Sequence, residues 1–171
     1  MKLEPPGAAT DGLADGQLER ALEIAYRFLT KRERTTAEVG RRLEREGFGA
    51  ETIAQALAGL HDAGTLDDHR FARLFTEDKR EFEQWGSERI RDALIERGVD
   101  SETVAAVLDA GVTEPGATSQ GERERALALL RRRFPEPPRI RRDRDRALGM
   151  LLRKGYDPDL AVETLSAYAR E

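Results

Sequence analysis

Residues 94–108 read LIERGVDSETVAAVL, and the same arrangement of leucine, glycine and apolar residues returns in LEREGFGAETIAQAL at 43–57 and LLRKGYDPDLAVETL at 151–165. Glycine reaches positive φ at no steric cost, so it ends a helix in the left-handed conformation, and the bulky residue after it packs back on that helix. Each stretch therefore predicts a helix, a stop and a second helix. The glycines lie 51 and 57 residues apart, which indicates one helical unit of about fifty residues used three times.

The composition favours a protein of narrow helices without thiol chemistry. Charged residues make up 36% of the 171 residues and hydrophobic residues 39%, which suits amphipathic helices with a solvent-exposed polar face. The chain has no cysteine, which excludes a disulfide framework, a thiol nucleophile and a thiolate metal site. It has no apolar run that could serve as a signal peptide or membrane span, so we expect a cytoplasmic protein without membrane contact.

Helical periodicity and helix-stop signals divide the chain into three units. We predict three-helix repeats at residues 17–64, 65–110 and 122–171, with a disordered N-terminal segment at 1–16 and a linker at 111–121. No segment has the strict alternation of apolar and polar residues that is typical of a half-buried strand. The sequence therefore predicts an all-α fold, a tandem array of three three-helix repeats.

Capping residues mark the helix starts in each unit. Thr35 and Glu38 have the spacing of a capping box, in which each side chain accepts a hydrogen bond from the other residue's backbone N–H. Asp67 or Asp68 can cap the first helix of the second unit. Asp157 precedes a proline that suits the first position of the last helix.

The charge is unevenly spread along the chain. The net charge is −4, yet residues 123–146 hold ten arginines against four acids, which favours a charged partner on at least one side. Prolines at 135, 137 and 138 predict a turn that brings the arginines before and after it to one edge. A solvated helix face with local pairs such as Arg141 and Asp145 is the alternative. The candidate partner-binding residues in this stretch are Arg131, Arg132, Arg133, Arg139, Arg141, Arg142, Arg144 and Arg146.

The sequence holds little that favours catalysis. His61 and His69 lie near Asp62, Asp67 and Asp68, so a metal site can be imagined, although solvated histidines beside helix caps are the more frequent case. No glycine-rich phosphate loop is present, and the adjacent carboxylates have the positions of helix caps. We therefore expect no catalytic residue, no metal and no cofactor.

Five short stretches carry a resemblance to a known family. LDDHRFA at 66–72, WGSERI at 85–90 and LIERGV at 94–99 resemble the central segment of the RecX family of recombination regulators. RTTAEV at 34–39 and LLRKGY at 151–156 also look like that family. The resemblance covers residues from about 18 to 170, and the first two stretches together make it fairly specific.

The resemblance implies a fold and a function. It implies an elongated, curved molecule of three-helix repeats that binds the RecA recombinase filament on DNA in its groove. By the same resemblance the protein inhibits strand exchange, ATP hydrolysis and the coprotease activity of that filament, and is not itself an enzyme. This would place it in DNA repair, recombination and the SOS response. A weak direct contact with DNA is also implied, and we expect a monomer.

The resembling motifs supply further candidate residues. Arg70 and Arg89 are candidate partner contacts, with pairing inside the unit to Asp67, Asp68 or Glu88 as the alternative. Trp85 is interpreted as a cover on the core, with a contact anchor as the alternative. The motif residues expected to be structural are Asp67, Asp68, Phe71, Trp85 and Gly86.

Two other functions stay open on the sequence. Three short helices per unit can also form helix-turn-helix modules, so a DNA-binding protein is one rival. Basic residues clustered at the N-terminus of one helix in every unit would favour it, whereas here only the third unit is basic. A helical-repeat adaptor for another protein is the second rival.

Overall fold

The computed structural model describes residues 8–110 and 117–171, with side chains described over 16–110 and 120–171. Nine α-helices, one short π-helix and no strand occur in these described ranges. The α-helices are α1 (Ala8–Leu29), α2 (Thr36–Arg45), α3 (Ala50–Asp62), α4 (Asp68–Asp78), α5 (Ser87–Glu96), α6 (Ser101–Asp109), α7 (Ala117–Arg133), α8 (Arg141–Lys154) and α9 (Pro158–Tyr168). The all-α prediction is confirmed.

The predicted caps are present. Thr35 accepts from the backbone N–H of Glu38 while the Glu38 carboxylate accepts from that of Thr35, which completes the capping box of α2. Asp67 accepts from the backbone N–H of Arg70 at 2.8 Å, and this hydrogen bond lowers the pKa of the Asp67 carboxyl. Asp157 accepts from two backbone N–H groups at the start of α9.

The three repeated glycines lie where α2, α5 and α8 end, and all have positive φ. The angles are 86° at Gly47, 90° at Gly98 and 82° at Gly155. The residue after the glycine donates back to the leucine that opens the pattern, from Tyr156 N to Leu151 O and likewise in the first repeat. These corners therefore have the stop geometry that the sequence predicts.

Two boundaries differ from the prediction. Helix α1 begins at Ala8 instead of about residue 17, so residues 8–16 of the expected disordered segment are helical. Helix α7 begins at Ala117, inside the expected linker. Both starts lack an apolar stripe, while alanine favours a helix without one. The remainder of both predicted segments, residues 1–7 and 111–116, lies outside the described residues.

A π-helix at Lys79–Glu83 follows α4 directly and was not predicted. Gln84 ends it with φ of 55°, and among the described residues other than glycine Gln84 alone has positive φ. Single-turn π-helices inside or beside α-helices occur frequently at functional sites. We call Lys79–Glu83 with Gln84 the π segment.

The chain divides into two compact units. Unit 1 comprises Met1–Phe71 with Arg97–Val99, and unit 2 comprises Ala72–Glu96 with Asp100–Glu171. The core of unit 1 is formed by α1, α2 and α3 around the fully buried Val39, Leu43 and Leu60. A second core lies in unit 2, where α7, α8 and α9 bury Leu130 and Leu151.

Candidate partner-binding groove

A groove of about 950 Å³ lies in unit 2 beside the end of α7 and along α8. Six cationic side chains and one carboxylate line it. We call it the basic groove; its lining residues are Leu129, Arg133, Phe134, Arg141, Arg142, Asp145, Arg146, Met150, Arg153 and Lys154. Part of the positive charge of the arginine-rich stretch is therefore gathered into one groove.

The helix period places the α8 cations on one face. Arg142, Arg146, Met150 and Arg153 follow each other at intervals of four, four and three residues, which is the spacing of neighbours on a helix surface. The polypeptide between α7 and α8 turns at the prolines and brings Arg133 to the same groove, as the sequence predicted.

Hydrogen bonds hold the turn between α7 and α8. The Tyr168 hydroxyl donates to the carbonyl oxygen of Phe134, and Arg144 Nε donates to the carbonyl oxygen of Pro138 at 3.1 Å. Arg144 thus stabilises the turn and does not line the groove. Because these contacts fix the path of the polypeptide, the groove is largely pre-formed.

The groove combines a charged rim with an apolar floor. Leu129 is buried in the core, and Phe134 and Met150 are half-buried against the same core. A ligand in the groove would therefore meet aliphatic and aromatic carbon between guanidinium groups. A groove that combines cationic and apolar groups suits a partner that is both anionic and partly apolar.

Little of the positive charge is neutralised within the unit. Arg141 lies 3.9 Å from Asp145, and Arg146 lies 3.7 Å from Asp143, both as exposed pairs. Exposed pairs of this kind contribute about 0 to 1 kcal/mol, so such a pair can exchange its carboxylate for that of a partner. Neither Arg133 nor Arg142 makes an ion pair or a side-chain hydrogen bond within the described part of the chain.

The remaining candidates from the arginine-rich stretch do not line the basic groove. Arg131 pairs with Glu171 at 2.5 Å, and Arg132 donates to the side-chain oxygen of Gln84. Arg139 is exposed just before α8. The structure therefore brings together only Arg133, Arg141, Arg142 and Arg146 from the eight arginines predicted there.

Arg70 and Arg89 make contacts inside their own units. Arg70 donates to the carbonyl oxygens of Gly64 and Thr65 and lies 3.3 Å from the Glu33 carboxylate. Arg89 donates to the carbonyl oxygen of Arg153 at 2.8 Å, and its guanidinium lies 4.2 Å from the centre of the Trp85 ring. These contacts favour the alternative of internal pairing. Of the predicted carboxylates, Asp67 interacts with Arg70, because it accepts from the Arg70 backbone N–H and the charge of Arg70 helps to lower the pKa of Asp67.

The motif residues take packing and capping positions. Asp68 accepts from the backbone N–H of Thr36 at 2.8 Å, and Phe71 is buried with the Arg97 guanidinium 5.5 Å from its ring. Trp85 is half-buried, meets Phe75 edge-on at 6.3 Å, and has the Lys79 ammonium 5.2 Å from its ring. This arrangement agrees with a cover on the core better than with a free contact anchor.

Arg153 and Lys154 are groove residues that the sequence reading missed as site candidates. Both lie in the stretch LLRKGY at 151–156, directly before the glycine that ends α8. The usable signal was the helix period, because Arg153 follows Arg142 by eleven residues, three helical turns. Lys154 gave no such signal, since its place depends on contacts with the π segment.

Metal-ligand clusters and membrane-spanning helices are both absent from the described residues. No group of three His, Cys, Asp or Glu residues there is placed to hold a metal ion. His61 instead contacts the Thr36 hydroxyl at 3.1 Å. None of the described helices is both long and apolar enough to cross a membrane.

Similarity to known proteins decides the family. Models of the first and second three-helix domains of RecX match residues 21–60 and 67–108. The regulatory protein RecX of Mycobacterium sp. (strain KMS) is 31% identical over 157 residues, which cover 86% of this chain and 81% of that protein. The chain belongs to the RecX family. Its relative in Stenotrophomonas maltophilia (strain R551-3), also named regulatory protein RecX, is 34% identical over 144 residues, 83% of this chain and 80% of that one.

Solved RecX structures share the fold. The crystal structure of RecX from Lactobacillus salivarius superposes with a TM-score of 0.77 at 18% identity and covers 92% of this chain and 99% of that one. A second crystal structure of a regulatory protein RecX gives a TM-score of 0.74 at 19% identity and covers 98% and 79% of the two chains. The RecX fold is thus retained at low sequence identity.

Proposed function

We propose that this chain binds the RecA recombinase filament on DNA and inhibits its recombinase, ATPase and coprotease activities without catalysing a reaction. The observation that carries the proposal is membership of the RecX family of regulatory proteins, reached through relatives that cover most of the chain. The basic groove supports it, because a recombinase filament offers both acidic protein surface and DNA phosphate. The proposed place of action is the cytoplasm.

Inhibition would follow from binding more than one recombinase subunit. Two compact units lie on one chain, so binding through one raises the effective concentration of the other at a neighbouring subunit. A chain that holds neighbouring subunits in one arrangement opposes the changes that accompany ATP turnover and strand exchange. A modest contact by each unit would then be enough.

The test is the ATPase activity of RecA on single-stranded DNA, titrated with this protein. We expect more than half of the activity to be lost at well below one protein per recombinase monomer. Bovine serum albumin at the same concentrations is the control for dilution and adsorption. Full ATPase activity at a molar excess over the recombinase would contradict the proposal.

A DNA-binding protein is the second candidate, because the same six groove cations could follow a phosphate backbone. It predicts salt-dependent binding to bare duplex DNA that is tighter than binding to recombinase-coated strands. Fluorescence anisotropy on both substrates at two salt concentrations separates the two functions. We expect tighter binding to the coated strand.

A further inference from the structure

The π segment presents an unusually exposed aromatic side chain. Phe82 is 73% exposed, the highest value among the large hydrophobic residues of the part of the chain whose side chains are described. No aromatic or cation contact with its ring occurs within those residues. Exposing a phenyl ring forfeits about 1.5 to 3 kcal/mol of burial free energy. Core packing therefore does not account for this side chain.

The π segment is held in place on both sides of Phe82. Lys154 Nζ donates to the carbonyl oxygen of Glu83 at 2.6 Å, and Arg132 donates to the side chain of Gln84. At the other end, the backbone N–H of Trp85 donates to the carbonyl oxygen of Lys79 at 3.1 Å. The exposed ring thus belongs to a fixed turn with an unusual backbone, which suits a pre-organised contact.

The same hydrogen bonds place the π segment at the rim of the basic groove. Lys154 lines the groove and also holds Glu83, the residue next to Phe82. Ile140 is a second exposed apolar residue beside the groove, since it is 60% exposed and directly precedes Arg141. Arg141 and Lys154 are the first and last residues of α8, so exposed apolar side chains flank the cationic groove near both ends of this helix.

We propose that this surface docks an acidic protein segment that carries apolar side chains. Phe82 inserts into an apolar pocket of the partner, while partner carboxylates pair with Arg142, Arg146 and neighbouring groove cations. An apolar side chain of the segment covers the groove floor at Met150 and Phe134. The identity of the partner as the recombinase rests on the proposed function.

The chemistry favours a protein over a nucleic acid. Among the described residues, Phe134 is the one aromatic residue that lines the groove, whereas single strands are held by several aromatic platforms on which successive bases stack. Arginine and aromatic residues are the types that protein interfaces enrich, and both occur here. A second groove in unit 2 is lined, within the described residues, by five carboxylates against one cation, Arg123, and this excess of negative charge would repel a long polyanion that extended over the unit. The carboxylates are those of Glu122, Glu124, Asp157, Asp159 and Glu163.

The experiment compares three forms of the full chain for binding to RecA filaments on oligo(dT) and to bare fluorescent oligo(dT). They are the wild type, Phe82→Ala, and the double variant Arg142→Glu with Arg146→Glu. For Phe82→Ala we expect filament affinity about tenfold weaker, with an unchanged dependence on salt. The double variant should lose more than tenfold, and its binding should depend less on salt. Neither change should weaken binding to bare oligo(dT) by the same factor.

Matched controls keep the comparison specific. Tyr26→Ala removes another exposed aromatic ring, and Arg20→Glu with Lys31→Glu reverses two exposed charges of unit 1. Both controls should bind the filament as the wild type does, and thermal unfolding should show every form folded.

Each outcome has one meaning. If the wild type binds the filament and neither Phe82→Ala nor the double variant loses affinity, the docking surface is overturned and the proposed function stands. Equal losses on filament and bare oligo(dT) show that the surface binds nucleic acid, which also overturns it. A wild type that does not bind the filament at all overturns the proposed function, and the recombinase assignment of the surface fails with it.

Discussion

The backbone of Gly86, in the Trp-Gly-Ser motif, lies directly against that of Gly155, the glycine corner at the end of α8. The Gly86 N–H donates to the carbonyl oxygen of Lys154 at 2.8 Å, and the N–H of Glu88 donates to that of Gly155 at 3.1 Å. A Cβ at Gly86 would overlap the Gly155 carbonyl group, and a Cβ at Gly155 would overlap Arg89. The motif glycine and the corner glycine are therefore two halves of one backbone contact.

Alanine substitutions should separate the free-energy cost of a positive φ from the cost of steric overlap at these glycines. Gly47→Ala meets only a positive φ, because nothing lies within 4 Å of its added Cβ, and should cost about 1 kcal/mol. Gly86→Ala meets only the overlap with Gly155, and Gly155→Ala meets both strain and overlap. We expect about 1 to 3 kcal/mol for the overlap alone and the largest loss for Gly155→Ala. Urea unfolding measured by circular dichroism gives the order, and equal costs at Gly47 and Gly155 would contradict the close contact.

Thr35 should be a stabilising residue of unit 1 beyond its role as a cap. Its side chain is fully buried, accepts from the Glu38 N–H at 3.1 Å and donates to the carbonyl oxygen of Arg97 at 2.8 Å. Thr35→Ala removes both bonds and should lower the free energy of unfolding by about 2 kcal/mol. Thr35→Ser retains the hydroxyl and should cost less than half of that. Urea unfolding of both variants checks this, and equal losses would mean that packing of the methyl group dominates.

The buried Tyr156 should make the protein sensitive to alkaline pH. Burial raises the pKa of the Tyr156 hydroxyl to about 12 from 10.0, against the opposing effect of nearby Arg125 and alongside that of Glu122. The unfolded chain therefore releases this proton first, so stability is full below pH 10 and falls as pH rises towards 12. The loss from this group should reach about 1 kcal/mol at pH 11.

Tyr156→Phe is the matching variant, because no hydrogen-bond partner of the Tyr156 hydroxyl occurs among the described residues. At pH 7 it should change the free energy of unfolding by less than about 1 kcal/mol. Its stability should then fall less steeply than that of the wild type between pH 9 and pH 11. Trp85 is the single tryptophan and lies in unit 2 with Tyr156, so its fluorescence follows the relevant unfolding. Parallel pH profiles would contradict the assignment.

Arg70 and Arg89 should act on stability and not on partner binding. Arg70→Gln loses the contact with Glu33, and Arg89→Met loses the hydrogen bond to the Arg153 carbonyl and the stacking on Trp85. Each should lower the free energy of unfolding by about 1 kcal/mol. Affinity for RecA filaments, measured well below the unfolding temperature, should stay within twofold of the wild type. A tenfold loss of affinity in a fully folded variant would restore the residue as a partner contact.

The candidate groove was only partly predictable from the sequence. The run of arginines and the proline turn indicated a basic edge, and four of its arginines do line the groove. The sequence could not tell these from Arg131 and Arg132, which are occupied by Glu171 and Gln84, 40 and 48 residues away. Which arginines stay available depends on side chains that only folding brings near.

The sequence by itself determined where most helices begin and end. Capping side chains, prolines and glycines with positive φ act on backbone groups within a few residues of themselves, so their effect can be read locally. The hydrophobic period likewise determined which residues form the cores.

Only the tertiary structure decided the basic groove and the π segment that borders it. Arg133 and Arg153 line one surface because α7 and α8 both pack against α9. Hydrogen bonds from Lys154 to Glu83 and from Arg132 to Gln84 hold the π segment at its rim. Gly86 meets Gly155 across 69 residues of chain for the same reason. These contacts join residues that are distant in sequence, and their geometry depends on how whole helices pack.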